Sequence, residues 1–275
     1  MILGLFCSFS STLNAQQYIN GNLSTGATSS NGVAAPAGYT WSEVQTGNVN
    51  AGLAANIANG FSLADDFTVI GTWTVNKFTF FAYSTGYTGT TSPFVDLRMQ
   101  IFNTDPSVGS PVPIFGNLTT NRLTATSTAN MYRIFNATPG NTREIWKIEA
   151  TIPAQVLTSG TYWVEWQVGV QTGLTSNFTP PSTVVGTVTQ PGNNAKQHDN
   201  TAGTWANALD GTNIQDIHFL IDYSTSGCTG TPAPGNTLAS ISTACPGVPF
   251  SLSVQNQTNG SGITYQWQSS TDGTT

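Results

Sequence analysis

From Ala64 to Phe102 the chain reads ADDFTVIGTWTVNKFTFFAYSTGYTGTTSPFVDLRMQIF. This stretch constrains the fold more than any other. Three apolar runs rich in β-branched and aromatic residues lie between Gly, Thr and Ser breaks, a composition suited to a pleated, half-buried surface. In the last run Val95, Leu97, Met99 and Ile101 fall on one side, and Asp96, Arg98 and Gln100 on the other. A period of two over seven residues predicts a strand with one face on a core.

The pattern recurs. Arg143–Ile152 sets Trp146, Ile148 and Ala150 against Lys147 and Glu149. Gly160–Val170 sets Tyr162, Val164, Trp166 and Val168 against Trp163, Glu165 and Gln167. Asp216–Tyr223 sets Ile217, Phe219, Ile221 and Tyr223 against Asp216, His218, Leu220 and Asp222. Shorter strands are expected at Tyr39–Val44, Met131–Phe135 and Thr183–Val188, and a helical turn within Ala51–Ala58 that nothing caps. Many short strands, Gly/Pro turns and no convincing helix predict an all-β chain built on a jelly-roll-like sandwich.

Composition supports this class and narrows the partners. Charged residues make up only 7% of the 275 residues, and aromatic residues 11%. Ser, Thr, Asn and Gly replace the Lys and Glu that stabilise surface helices. The net charge is −6 with no Lys/Arg cluster, which argues against nucleic acid, since that ligand selects basic patches. After the first residues no apolar run is long enough for a membrane-spanning helix.

The start, MILGLFCSFSSTLNA, passes from apolar to small polar residues and predicts a signal peptide over residues 1–15. Residues 16–223 then form the sandwich, with an irregular N-terminal segment. Residues 224–238, STSGCTGTPAPGNTL, read as a linker. A second unit follows over residues 239–275, with strands at Phe250–Val254 and Ile263–Gln268.

Cys245-Pro246-Gly247 followed by Tyr265-Gln266-Trp267-Gln268 resembles the start of an immunoglobulin-like domain. The resemblance implies an Ig-like sandwich truncated at Thr275, in which Cys245 pairs with a cysteine beyond the chain end and Trp267 packs on the bridge. A bridge between Cys228 and Cys245 remains the alternative. The last fifty residues together resemble linker-plus-domain units of large surface proteins exported by bacterial type IX secretion systems. The region from Asn50 to Tyr223 resembles secreted bacterial β-sandwich modules. These resemblances imply extracellular or cell-surface display after signal-peptide export, and carry no catalytic residues.

Five constellations bear on chemistry. Asp65-Asp66 offers paired hard oxygen donors for calcium, or a polar cap at a strand start. Asp216, His218 and Asp222 share a strand face, and with two histidines in the chain a polar outer face is the commoner reading than a metal site. Trp163, Glu165 and Gln167 place an aromatic platform beside carboxylate and amide groups, as a sugar-binding face requires; a solvated outer face is the alternative. Catalysis finds little support. Glu144, Glu149 and Glu165 are not shown to converge as a glycosidase pair. His198 and Asp199 lack a Gly-x-Ser-x-Gly elbow. No cofactor is expected. The sequence therefore predicts a secreted surface adhesion or binding module without catalysis, with a surface glycan or protein as ligand. A carbohydrate-binding accessory module of an extracellular hydrolase is the alternative.

Overall fold

The computed structural model describes residues 15–135, 139–190, 192–225, 236–241, 243 and 247–256. The chain divides into a unit spanning Ala15–Thr225 and a second unit that contains the C-terminal residues. Among the described residues there is no α-helix, and the architecture is an all-β sandwich.

The first unit contains β1 (Ala15–Asn20), β2 (Thr40–Val44), β3 (Phe61–Ser84), β4 (Phe94–Phe102), β5 (Phe115–Asn117), β6 (Ala125–Phe135) and β7 (Glu144–Val170). It continues with β8 (Asn177–Phe178), β9 (Lys196–Asp199), β10 (Thr204–Asn207), β11 (Leu209–Asp210), β12 (Asn213–Ile214) and β13 (Phe219–Thr225). In the second unit β14 (Asn236–Ala239) pairs antiparallel with β15 (Leu252–Gln255).

The long antiparallel pair β3–β7 organises the first unit. It runs from Leu63↔Trp166 to Tyr83↔Ile145, with register shifts at Val69/Thr72 and Val75/Lys77. At these bulges the ribbon bends rather than breaks. Gly71 supplies a positive φ of 77° at the first bend. Pro153 lies in the stretch opposite the second, where a missing N–H costs the ladder nothing. The N-terminal half of β3 and the C-terminal half of β7 form one layer, in the order β10-β9-β3-β7-β4-β5. The other halves form the second layer, β1-β13-β3-β7-β6-β2.

The core fills the space between the layers. Phe80 of the second layer stacks on Trp166 of the first, with ring centroids 4.6 Å apart. Phe67 meets Phe78 and Phe219 edge-on, at 6.3 and 6.2 Å. The inward residues expected of three strands are there: Leu97, Met99 and Ile101; Ile148 and Ala150; Ile217, Phe219 and Ile221 are all fully buried.

The structure departs from the sequence reading in several places. Val95 is 51% exposed while Phe94 is buried, because a register shift between Phe94 and Asp96 moves Val95 off the inner face. Thr183–Val188 forms turns, not a strand. Ile57–Asn59 is a single 3₁₀ turn and it is capped: the Asn56 side chain accepts from the Asn59 N–H. β1 occupies residues expected to be irregular, β6 begins six residues before Met131, and β3 and β7 replace several short strands. β13 runs to Thr225 and β14 starts at Asn236, so the ends of the expected linker are strand. Residues 1–14, Cys7, Cys228, Cys245 and Trp267 lie outside the described residues, and with them the signal-peptide, disulfide and Ig-core expectations.

Candidate functional site

Charge is scarce in this chain, yet among the described residues six charged side chains are buried: Glu43, Asp65, Arg133, Glu165, Asp210 and Asp216. Burying a charge is costly unless it is hydrogen-bonded or paired, so each must be held. Two of them tie down loops. Glu43 accepts from the N–H and hydroxyl of Ser30, and Asp210 accepts from the N–H groups of Val49 and Asn50. Arg133 donates to Ala51 O, Ser42 Oγ and Thr183 Oγ1, at 2.7, 3.1 and 3.1 Å.

Glu165 is different because of the face it occupies. On β7 it lies between Ala64 of β3 and Gln100 of β4, with its side chain directed away from the core-facing Val164 and Trp166. An outer sheet face normally leaves a glutamate in water; here it is 0% exposed. Its Oε1 accepts from the Ser62 hydroxyl and lies 3.0 Å from His198 Nδ1, and its Oε2 accepts from Gln100 Nε2 at 2.6 Å. Asn200 Nδ2 in turn donates to Ser62 Oγ at 3.0 Å. Strand pairing brings the set together: Ser62 is opposite His198, and His198 is opposite Trp205. The imidazole lies nearly parallel to the Trp205 indole, with centroids 4.2 Å apart and planes 8° from parallel. Trp205 packs beside a small outer-face cluster of Ala64, Phe102 and Trp163.

This places all three residues of the sequence-expected ligand face. Trp163, Glu165 and Gln167 share the outer face as the alternation requires, but they are 6%, 0% and 5% exposed. Gln167 Nε2 donates to Leu118 O. The three form the floor of the face. The half-buried residues above it are Trp205, His198 and Lys196, whose Nζ donates to Asn207 Oδ1 at 2.7 Å. β9 and β10 are four residues each, too short to give a readable alternation, which is why the sequence pointed to His198 only as a triad member and missed Trp205.

The catalytic constellations do not assemble. Ser62 donates to Glu165, not to a histidine, and Asp199 caps the β9–β10 turn by accepting from the Thr201 and Ala202 N–H groups. Glu144 accepts from Tyr39 and Thr128, and Glu149 pairs with Lys77 at 3.2 Å. Both belong to the half of β7 in the second layer, away from Glu165.

A second polar group lies inside. Asp65 is fully buried; its Oδ2 accepts from Ile217 N and Asn20 Nδ2, at 2.7 and 3.0 Å, and its Oδ1 from Asp66 N at 2.9 Å. Asp216 neighbours Asp65, whose Oδ2 bonds the N–H of the residue after Asp216, and Asp216 itself accepts from Gln190 Nε2. Burial, then the neighbouring Asp216 charge, hold the Asp65 carboxyl well above the usual range; burial raises Asp216 as well. His218, grouped with Asp216 and Asp222 in the sequence, turns its Nδ1 to Asn20 O at 2.7 Å, and burial lowers its pKa to about 4. Asp222 instead pairs with Lys77 at 2.8 Å. Among the described residues no three His, Cys, Asp or Glu side chains gather as a metal cluster, and no helix is long and apolar enough to cross a membrane.

No family model matches this chain, and no curated protein or solved structure matches it.

Proposed function

We propose that the chain is a secreted cell-surface adhesion or binding module that works without catalysis, and that its ligand engages the outer face around Trp205 and His198. The observation that carries this reading is the Glu165 network. A fully buried carboxylate on an outer face, bonded to three side chains, does nothing for the core; it fixes His198 and, through ring stacking, Trp205. Rings and polar groups held before the ligand arrives bind with less entropic loss. The leader-like start and the Asn-, Thr- and Ser-rich, charge-poor sequence support export and display.

The same chemistry favours a saccharide as the ligand. An indole gives an apolar face for a sugar ring, while His198, Lys196 and Asn207 give directional hydrogen bonds to hydroxyls. A carbohydrate-binding accessory module of an extracellular hydrolase is the second reading that this favours. The full chain applied to a glycan array is expected to bind, with affinity falling about tenfold or more in Trp205→Ala. A silent array, or a Trp205→Ala variant that binds like the parent, removes the saccharide reading.

A further inference from the structure

The segment from Asn177 to Asn194 has little strand pairing: the two-residue β8 and two bridges, Thr179↔Leu53 and Pro181↔Ile217, are its regular contacts among the described residues. The second bridge brings it against the interior carboxyl pair. Ser182 N donates to Asp216 O at 2.8 Å, so Ser182 lies opposite Asp216 and the two side chains share one side of the ribbon. The Ser182 side chain is buried, with the residue 4% exposed, and its Oγ has no hydrogen-bond partner. A buried hydroxyl without a partner loses about 1–3 kcal/mol, so it calls for an explanation. A second buried oxygen, Asn194 Oδ1, is also without a partner, and the next residue places its chain beside Asp216: Ala195 N donates to Gln215 O at 3.1 Å. Gln190 reaches the same place: its Nε2 donates to Asp216. Gly21 borders it with φ +67°, and a Cβ there would lie under 3.0 Å from both Ser182 Oγ and Gln190 Oε1. Those two oxygens are therefore close to one another beside the carboxyl pair.

We propose that Asp65 and Asp216, with Ser182 Oγ and the amide oxygens of Gln190 and Asn194, form a site for one divalent cation of the calcium class. The donors are all hard oxygens, two from carboxylates and three neutral, gathered from β3, the residues just before β13 and the segment that carries Ser182, Gln190 and Asn194. Calcium accepts such irregular mixed oxygen sets, whereas magnesium demands near-octahedral geometry and keeps its waters. The ion resolves two features at once. It supplies the positive charge that two neighbouring carboxyls in a desolvated interior lack, and it gives the stranded Ser182 and Asn194 oxygens a partner. Its structural effect is to clamp the strandless segment onto the sandwich. With only two carboxylates the expected affinity is that of extracellular calcium modules, a Kd of about 10⁻⁴ to 10⁻³ M. A single proton shared by the two carboxyls is the competing arrangement.

The test uses the full chain, dialysed against chelator and then returned to calcium at about 5 mM. Calcium is expected to bind one to one by titration calorimetry and to raise Tm by about 2–9 °C. Asp216→Asn, close to isosteric, is expected to abolish both effects. Ser182→Ala removes one neutral ligand and is expected to weaken binding about tenfold while leaving the fold intact, so the site remains testable if Asp216→Asn does not fold. No calcium-dependent change in the parent chain, or an equal response in both variants, overturns the cation site and leaves the shared proton.

Discussion

The imidazole of His198 is clamped between a carboxylate and an indole: its Nδ1 is 3.0 Å from Glu165 Oε1, and its ring lies 4.2 Å from the Trp205 ring, 8° from parallel. Three strands meet in this contact, β7 through Glu165, β9 through His198 and β10 through Trp205. The carboxylate is the part on which the rest depends. In Glu165→Gln an NH₂ replaces one of two oxygens that serve Ser62, Gln100 and His198, so at least one buried donor loses its acceptor. A loss of about 1–3 kcal/mol is expected by urea unfolding. The aromatic and imidazole resonances of Trp205 and His198 are expected to shift in NMR spectra while core methyl signals stay in place. Unchanged stability would show that the network does not hold the face.

The two layers are joined by the Phe80–Trp166 stack at 4.6 Å, which pairs one residue from each half of the β3–β7 ribbon across the core. Both are fully buried. Phe80→Ala removes the ring without a path for the surrounding sheet to close, and is expected to cost about 3–5 kcal/mol. Phe80→Leu, which keeps most of the volume, is expected to cost less than half of that. Equal losses for the two variants would count against the stack as the joint between the layers.

How far the sequence could be read follows from strand length. Gly160–Val170 shows its alternation over eleven residues, so both faces were legible, and Val164, Trp166 and Val168 are inside. What alternation cannot report is whether the outer face stays wet. Glu165 and Trp163 point outward and are buried all the same, because β4, β9 and β10 bring Gln100, His198 and Trp205 alongside them. Gly71 reads locally as a break, but in the folded chain it marks a bend in one long strand. Asp65 and Asp216 are 151 positions apart in the sequence, and their approach depends on the two layers facing one another, so that Ile217 N donates to Asp65 Oδ2 across the interior, which no local pattern encodes.

Arg133 is fully buried and bonds only neutral acceptors, and burial lowers its pKa to about 10. Its three bonds tie β6 to β2 through Ser42, to the Ala51 carbonyl and to Thr183. Arg133→Lys keeps the charge but cannot span three separate acceptors with one ammonium on a flexible stem. A loss of about 2–4 kcal/mol is expected from the orphaned acceptors and the poorly solvated cation. Arg133→Met, which removes the charge and keeps the stem, is expected to be no worse than the lysine variant. A lysine variant as stable as the parent would show that charge alone is sufficient at this position.

His218 makes acid stability testable. Its ring is buried beside Phe81, with centroids 4.5 Å apart, and Nδ1 faces the carbonyls of Asn20 and Gly21 at 2.7 and 3.2 Å, so it is the neutral form with the proton on Nδ1 that fits. Desolvation lowers its pKa to about 4, against an ordinary value of 6.5. The unfolded chain therefore takes up the proton first as pH falls. The stabilisation is complete above about pH 6.5 and is lost progressively down to about pH 4, a total of about 3 kcal/mol. In His218→Asn an amide N–H can donate to the same carbonyls and nothing titrates, so the parent's advantage over this variant is expected to shrink as pH falls from 7 to 4. Taking the difference between the two proteins cancels the opposing contribution of Asp65 and Asp216, whose raised pKa values favour the fold at low pH and lose that contribution as pH rises. Urea unfolding of both proteins across this range decides the matter: parallel stability curves would mean that His218 does not titrate differently in the folded and unfolded states.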